Sequence, residues 1–216
     1  MDIQIIYSQR RTVSLMVNRE GQVMVRAPKH TPLRFIEGLI EKRRDWIRQA
    51  LEHYYRNPGK QFTEGELFLY LGKEYPLRVL DGYRSRLVFE NAFYISRVKL
   101  PAAKKLFQDW YRQQAKEILQ KRTAYHANNM GLRFKKITIR DTSSRWGSCS
   151  SAGNLNFSCR LIMAPPEIAD YVVVHELAHL QHQNHSKQFW QLVGRYCPDY
   201  LQKRKWLHAN GNSLRV

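Results

Sequence analysis

The segment Tyr171–Trp190, YVVVHELAHLQHQNHSKQFW, places four histidines and one glutamate within eleven residues, directly after an apolar run. Residues four apart on an α-helix share a face, so His175 and His179 can both direct a ring nitrogen at one ion. Glu176, beside the first of them, can hold a metal-bound water and take its proton. This is H-E-x-x-H, a pattern in which zinc lowers the pKa of water and polarises a scissile carbonyl. Only three of its positions are fixed, so the surroundings have to decide. From Ile168 to Ala178 nearly every residue is apolar. A helix of that kind is expected to be buried, and buried histidines and a buried glutamate need partners. A single histidine there reads as a satisfied core residue, whereas three polar groups at ligand spacing read as a metal site.

A catalytic zinc has three protein ligands and one open position. No glutamate follows Glu176, and Asp199 is the only acidic residue after it. His185 is the better candidate for the third ligand. It stands six residues after His179, the separation found in H-E-x-x-H-x-x-G-x-x-H. His182 occupies the glycine position of that longer pattern, so the same turn is not implied. Asn184 tolerates a left-handed conformation and is expected to end the helix just before His185. His182 is expected beside the site or on the surface, and His208 is a weaker alternative ligand.

Upstream, Arg145-Trp146-Gly147-Ser148-Cys149 precedes a strand that leads into this helix. A strand edge beside a metal-bearing helix can bind extended substrate by backbone pairing. Arg145, Trp146 and Ser148 are therefore candidate substrate-binding residues, with Arg145 or Ser148 able to contact an oxyanion. The competing reading is that Trp146 and Gly147 pack a tight loop against the core. Cys149 reads as a small buried residue. Phe189 and Trp190 read as core packing that fixes the turn carrying His185.

The elements that position these residues differ between the two halves. Residues 1–100 read as a mainly β region with one helix. Strands are expected at Ile3–Tyr7, Thr12–Val17 and Gln22–Ala27, with a turn at Asn18-Arg19-Glu20-Gly21. A helix is expected from a Thr31 cap, with Pro32 in its first turn, to Asn57-Pro58-Gly59. FLYLGKEYPLRVL and RLVFENAFYISRV read as hairpins. Residues 101–216 begin with a long helix whose apolar face is Leu106, Phe107, Trp110, Tyr111, Ile118, Leu119 and Tyr125, closed by Met130-Gly131. Two strands flank SRWGSCSSAG, the metal helix starts near Pro165-Pro166, and a last helical segment runs from about Ser186. If Ser151-Ala152-Gly153 is a hairpin turn, Cys149 lies opposite about residue 155 and Cys159 opposite about residue 145, so they are not disulfide partners.

The chain of 216 residues is 43% hydrophobic and 12% aromatic, which excludes a disordered protein. Its 36 Lys and Arg against 18 Asp and Glu give a net charge of +18. That charge fits either a solvated basic surface or an anionic partner such as nucleic acid or nucleotide. Basic clusters such as Lys42-Arg43-Arg44 and Lys203-Arg204-Lys205 stand beside Trp46 and Trp206, an interleaving that suits nucleic acid and also ordinary amphipathic helices. The amino-terminal segment lacks signal-peptide character, and no apolar run approaches the roughly 20 residues that span a bilayer. With three cysteines in all, a cytoplasmic location is expected, without a membrane partner.

The run SSRWGSCSSAGNLNFSCRLIMAPPEIADYVVVHELAHLQHQNHSKQFWQLVGRYCPDY resembles the YgjP-like metallopeptidase domain, a zincin-type family akin to the SprT-like proteases. The likeness extends along the whole chain, and W-G-S-C and H-E-L-A-H-L…N-H-S-x-x-F-W are its most specific segments. It implies an α+β zincin-like fold made of a backing helix, a small sheet and an active-site helix. It also implies one zinc held by His175, His179 and His185, with Glu176 as general base. The leading expectation is a zinc-dependent hydrolase of peptide or protein substrates. Two alternatives stand beside it: a metal-dependent hydrolase of a nucleoside triphosphate, and a nucleic-acid-binding module with a structural metal. A structural site would be closed by a fourth protein ligand.

Overall fold

The computed structural model describes residues 3–17, 21–56, 59–82, 86–142 and 144–216. The turn expected at Asn18 to Glu20 and the helix end expected at Asn57-Pro58 lie outside them. The chain divides into two compact units, Met1–Lys60 and Gln61–Val216. The change of pattern near residue 100 therefore falls inside the second unit, for a reason given below.

In the first unit β3 (Val23–Pro28) is central, with β1 (Ile3–Ser8) parallel on one side and β2 (Ser14–Val17) antiparallel on the other. Strand alternation turns Val23, Val25 and Ala27 inward, and Ile36 of α1 (Leu33–Lys42) joins Val25 and Ala27 in a small core. One helix was expected here, but the chain forms two. Arg43 leaves helical geometry at φ −109° and ψ 15°, and α2 (Arg44–Arg56) starts afresh. The cap position is taken by Pro32, not Thr31, and no side chain caps the helix.

The second unit contains two sheets, ordered β4-β5-β7-β6 and β8-β10-β9. The hairpins expected in the first are present: β4 (Leu67–Tyr70) pairs with β5 (Lys73–Leu80), and β6 (Leu87–Phe89) with β7 (Phe93–Ser96). The long helix α3 (Ala103–Met130) ends on Gly131 in the left-handed conformation, φ 65°. Its buried stripe repeats every four residues through Phe107, Tyr111, Ala115, Leu119, Thr123 and Ala127. Leu106, Trp110 and Ile118 flank that stripe, whereas Tyr125, expected on the apolar face, is 65% exposed because it lies two residues off the repeat.

Phe107 stacks on Phe68 of β4 at 4.2 Å and touches Phe93 of β7, while the Tyr111 hydroxyl donates to the Leu69 carbonyl at 2.6 Å. These contacts make β4–β7 and α3 one core, which is why no unit boundary falls near residue 100. The β4–β5 turn also reaches the entrance of the metal helix. Leu71 N donates to Ile162 O at 2.7 Å, and a Cβ at Gly72, φ 79°, would lie 2.8 Å from Pro165 Cα. Only glycine provides both the left-handed turn and that approach.

The second sheet carries β8 (Lys136–Arg140), β9 (Gly147–Cys149) and β10 (Asn154–Ser158). β9 pairs antiparallel with β10, and Cys149 stands opposite Leu155 as the expected hairpin requires. A single-turn helix at Cys159–Met163 leads into α4 (Pro166–Ala178). The last segment is two helices, α5 (Lys187–Tyr196) and α6 (Tyr200–Asn210), where one was expected, because the chain leaves helical geometry at Cys197 before Pro198. Among the described residues no helix is long and apolar enough to cross a membrane.

A fragment starting at Gln61 is expected to unfold in one cooperative urea transition. A fragment starting at Pro101, stripped of Phe68 and Phe93, is expected to lack native near-ultraviolet circular dichroism. Phe107→Ala should cost about 3–5 kcal/mol in the same urea titration of the full chain.

Candidate metal centre

Helix α4 carries His175 and Glu176 and ends at Ala178, so His179 is its cap residue. Ile168, Val172, Val173, Leu177 and Ala178 are all buried, in keeping with an apolar helix packed on every side. On its α3 side Asp170 pairs with Arg122 and with His126, the latter at 3.1 Å. The helix ends earlier than the position before His185 that was expected. Leu180 N and Gln181 N donate to the carbonyls three residues back, Leu177 and Ala178, and Gln183 Nε2 donates to the His179 carbonyl at 2.8 Å. Asn184 is not left-handed; among the described non-glycine residues only Phe62 and Leu71 have positive φ. The chain then reverses into α5, capped by Ser186, whose hydroxyl accepts from Phe189 N.

This reversal brings His185 back over the helix. One ligand nitrogen from each of His175, His179 and His185 lies within 4.8 Å of the others. His175 Nε2 and His185 Nε2 are 3.1 Å apart. A tetrahedral metal with bonds of about 2.0 Å to nitrogen asks for roughly 3.3 Å between ligands, so these residues fit such an ion. His179 Nδ1 lies 3.0 Å from the His182 carbonyl. A proton on Nδ1 donated to that oxygen leaves Nε2 free as a ligand, the arrangement that usually fixes a metal-binding imidazole. His182 thus meets the site through its backbone, and its side chain is not in the ligand cluster. Asp199 and His208 are also outside it.

Buried Phe189 is the common platform, with its ring 4.9, 4.5 and 4.8 Å from the rings of His175, His179 and His185. Trp190 stacks on His185, then Tyr200 on Trp190, and the Arg204 guanidinium lies over Trp190. Burial, and next its two neighbouring imidazoles, pull His175 down to a pKa of about 3; burial lowers His179 as well. Both rings are therefore neutral at pH 7, the form a metal requires.

Glu176 is 5% exposed, and its Oε2 has no hydrogen-bond partner. Burial pushes its carboxyl up to about 8, opposed by the charge of Arg145. The carboxyl lies against β9, where a Cβ added at Gly147 would come 2.5 Å from Glu176 Oε1. Cys149, on the same side of β9, is half-buried, and burial raises its thiol to about 11.

Of the three candidate substrate-binding residues, Arg145 and Ser148 line one cavity and Trp146 does not. Arg145 is exposed, with its charge felt at Glu176. Ser148 Oγ accepts from Asn156 Nδ2 at 3.2 Å. Trp146 is a packing residue: its carbonyl accepts from Ser158 N, and a Cβ at Gly211 would lie 2.7 Å from its ring. Sequence reasoning gave Gly147 only a packing role in a tight loop, whereas its bare backbone admits the Glu176 carboxyl, and it passed over Arg140 and Asn156 near Ser148. A glycine between tryptophan and serine hints at close packing. Nothing local marks the other two.

A family model described as YgjP-like, metallopeptidase domain, matches residues 11–210. The chain belongs to the YgjP-like metallopeptidase domain family. Membership makes it a hydrolase by family and implies a divalent metal. No curated protein matches it. Among solved structures, the crystal structure of the metallopeptidase zymogen of Pyrococcus abyssi abylysin is similar at 19% identity and a TM-score of 0.41, over 45% of this chain and 99% of that one. That partial likeness carries no argument about the site.

Two substitutions separate ligand from support. After metal loading and dialysis, His185→Ala is expected to lose bound metal by elemental analysis. His182→Ala, which keeps the carbonyl facing His179, is expected to retain one ion per chain.

Proposed function

We propose that the chain is a zinc-dependent peptidase in which His175, His179 and His185 hold the metal and Glu176 is the general base. The observation that carries this reading is the convergence of three imidazoles beside a buried carboxyl whose Oε2 has no hydrogen-bond partner among the described residues. Zinc bound there supplies Lewis acidity, lowering the pKa of water and polarising a carbonyl. Beside such a divalent charge Glu176 would be held as the carboxylate that accepts a proton, against the effect of its burial. Glu176 then takes the proton of the attacking water and returns it to the leaving amine. Because His185 is exposed, the centre is open to substrate on that side.

Binding of an extended substrate is supported by the edge position of β9. Ser150 N donates to Asn154 O and Ser158 N to Trp146 O, so the even-numbered residues of this strand bond inward to β10. The backbone groups of Gly147 and Cys149 are left directed at the free edge, above Glu176. A peptide paired there would present a carbonyl toward the carboxyl.

A second reading, phosphoanhydride hydrolysis at the same centre, is favoured by the net charge of +18. It predicts release of phosphate or pyrophosphate from nucleoside triphosphates, whereas the first predicts new amino termini from casein-like peptides. On whichever substrate is cleaved, Glu176→Gln should lower kcat by about 10²–10⁴-fold with the metal retained. Full activity in that variant would remove Glu176 from the mechanism. Gly147→Ala should also lower kcat, since its Cβ displaces the carboxyl, while a cooperative urea transition is retained.

A further inference from the structure

A cavity of about 300 Å³ opens beside β9, lined by Arg140, Thr142, Ser144, Arg145, Ser148 and Asn156 among others. Among the described residues no carboxylate lines it. Neither Arg140 nor Arg145 takes part in an ion pair among the described residues. Both side chains are exposed, yet the cavity they share also offers neutral donors. Asn156 uses one amide proton on Ser148 Oγ, which leaves its other amide proton and the Ser148 hydroxyl proton available. Two unpaired guanidinium groups with neutral donors between them suit a carboxylate, which accepts at both oxygens.

The pleat relates this cavity to the candidate centre. Successive residues of a strand face opposite sides, so Gly147 and Cys149 face Glu176 while Ser148 faces the other way with its partner Asn156. A substrate strand on the β9 edge has the same alternation. Its residue opposite Ser148 points into the cavity, and the residues on either side point toward Glu176.

We infer that this cavity is a side-chain subsite for an acidic residue of an extended peptide, next in sequence to the residue whose carbonyl faces Glu176. The inference rests on the peptidase reading and adds the substrate class. It also assigns Arg140, which lies far from the H-E-x-x-H segment, to specificity.

The test uses the zinc-loaded Glu176→Gln protein and fluorescent peptides derived from a sequence that the wild type cleaves, with Glu, Gln or Lys at each position around the cut. At one position the Glu peptide should bind about tenfold or more tighter than its Gln counterpart. Adding Arg140→Ala should bring that ratio toward one and leave the Gln peptide within about twofold, the latter reporting an intact fold. No Glu preference at any position, or a preference that survives both Arg140→Ala and Arg145→Ala, overturns the inference. If the wild type cleaves no peptide, the peptidase reading fails separately. The cavity is then probed by titrating glutamate blocked at both ends, its glutamine analogue and inorganic phosphate while following the amide signals of Ser148 and Asn156. A response to blocked glutamate that Arg140→Ala removes sustains the acidic subsite; no response, or a response to phosphate alone, overturns it.

Discussion

Burial of α4 on nearly every side is the constraint on which the rest of the second unit depends. A helix packed against α3 and the sheet cannot leave polar groups unpartnered without loss, about 1–3 kcal/mol for each buried neutral group. Yet His175 Nδ1 and Glu176 Oε2 are buried without protein partners. The apolar residues around them offset that loss. The aromatic contacts of Phe68, Phe93 and Phe107, and the Ala115 and Ala127 positions of the α3 stripe, form the core against which α4 is held. Stability supplied by one set of residues maintains a strained electrostatic arrangement in another.

The same burial sets the protonation states. A neutral imidazole and a protonated carboxyl are the forms that a dry environment favours, and His175 and Glu176 shift in those opposite directions. A divalent ion held there would favour the carboxylate of Glu176 and would keep His175 neutral. The proposed chemistry therefore draws on one physical cause, the removal of water from α4. Phe189 extends that dry environment across the chain reversal, touching all three histidine rings and tying α5 to α4.

Around the helix, β9 does two things at once. Gly147 gives Glu176 room that no other residue type would leave, and the short strand remains a free sheet edge. Edge strands normally invite unwanted pairing and are kept short. Here three residues suffice, with Ser148 on the side away from Glu176.

Much of this was legible in the residues alone, because it follows from local periodicity. The four-residue spacing of His175 and His179, the apolar run before them, the Ser151-Ala152-Gly153 turn that sets Cys149 opposite Leu155, and the glycine end of α3 are all consequences of a few neighbouring side chains. Tertiary structure decided what depends on distant partners. The close approach of His185 to His175 comes from a reversal stabilised by Phe189, not from a left-handed Asn184. Tyr125 faces outward because α3 packs along a strict four-residue stripe. The first hundred residues contain parts of two units because Phe68 and Phe93 find Phe107, a pairing that no local pattern encodes. Arg140 meets Arg145 and Asn156 in one cavity only once β8, β9 and β10 are in register. Spacing along one helix is set by bonds between neighbours, whereas the third histidine, the unit boundary and the cavity are set by which surfaces meet when water is excluded.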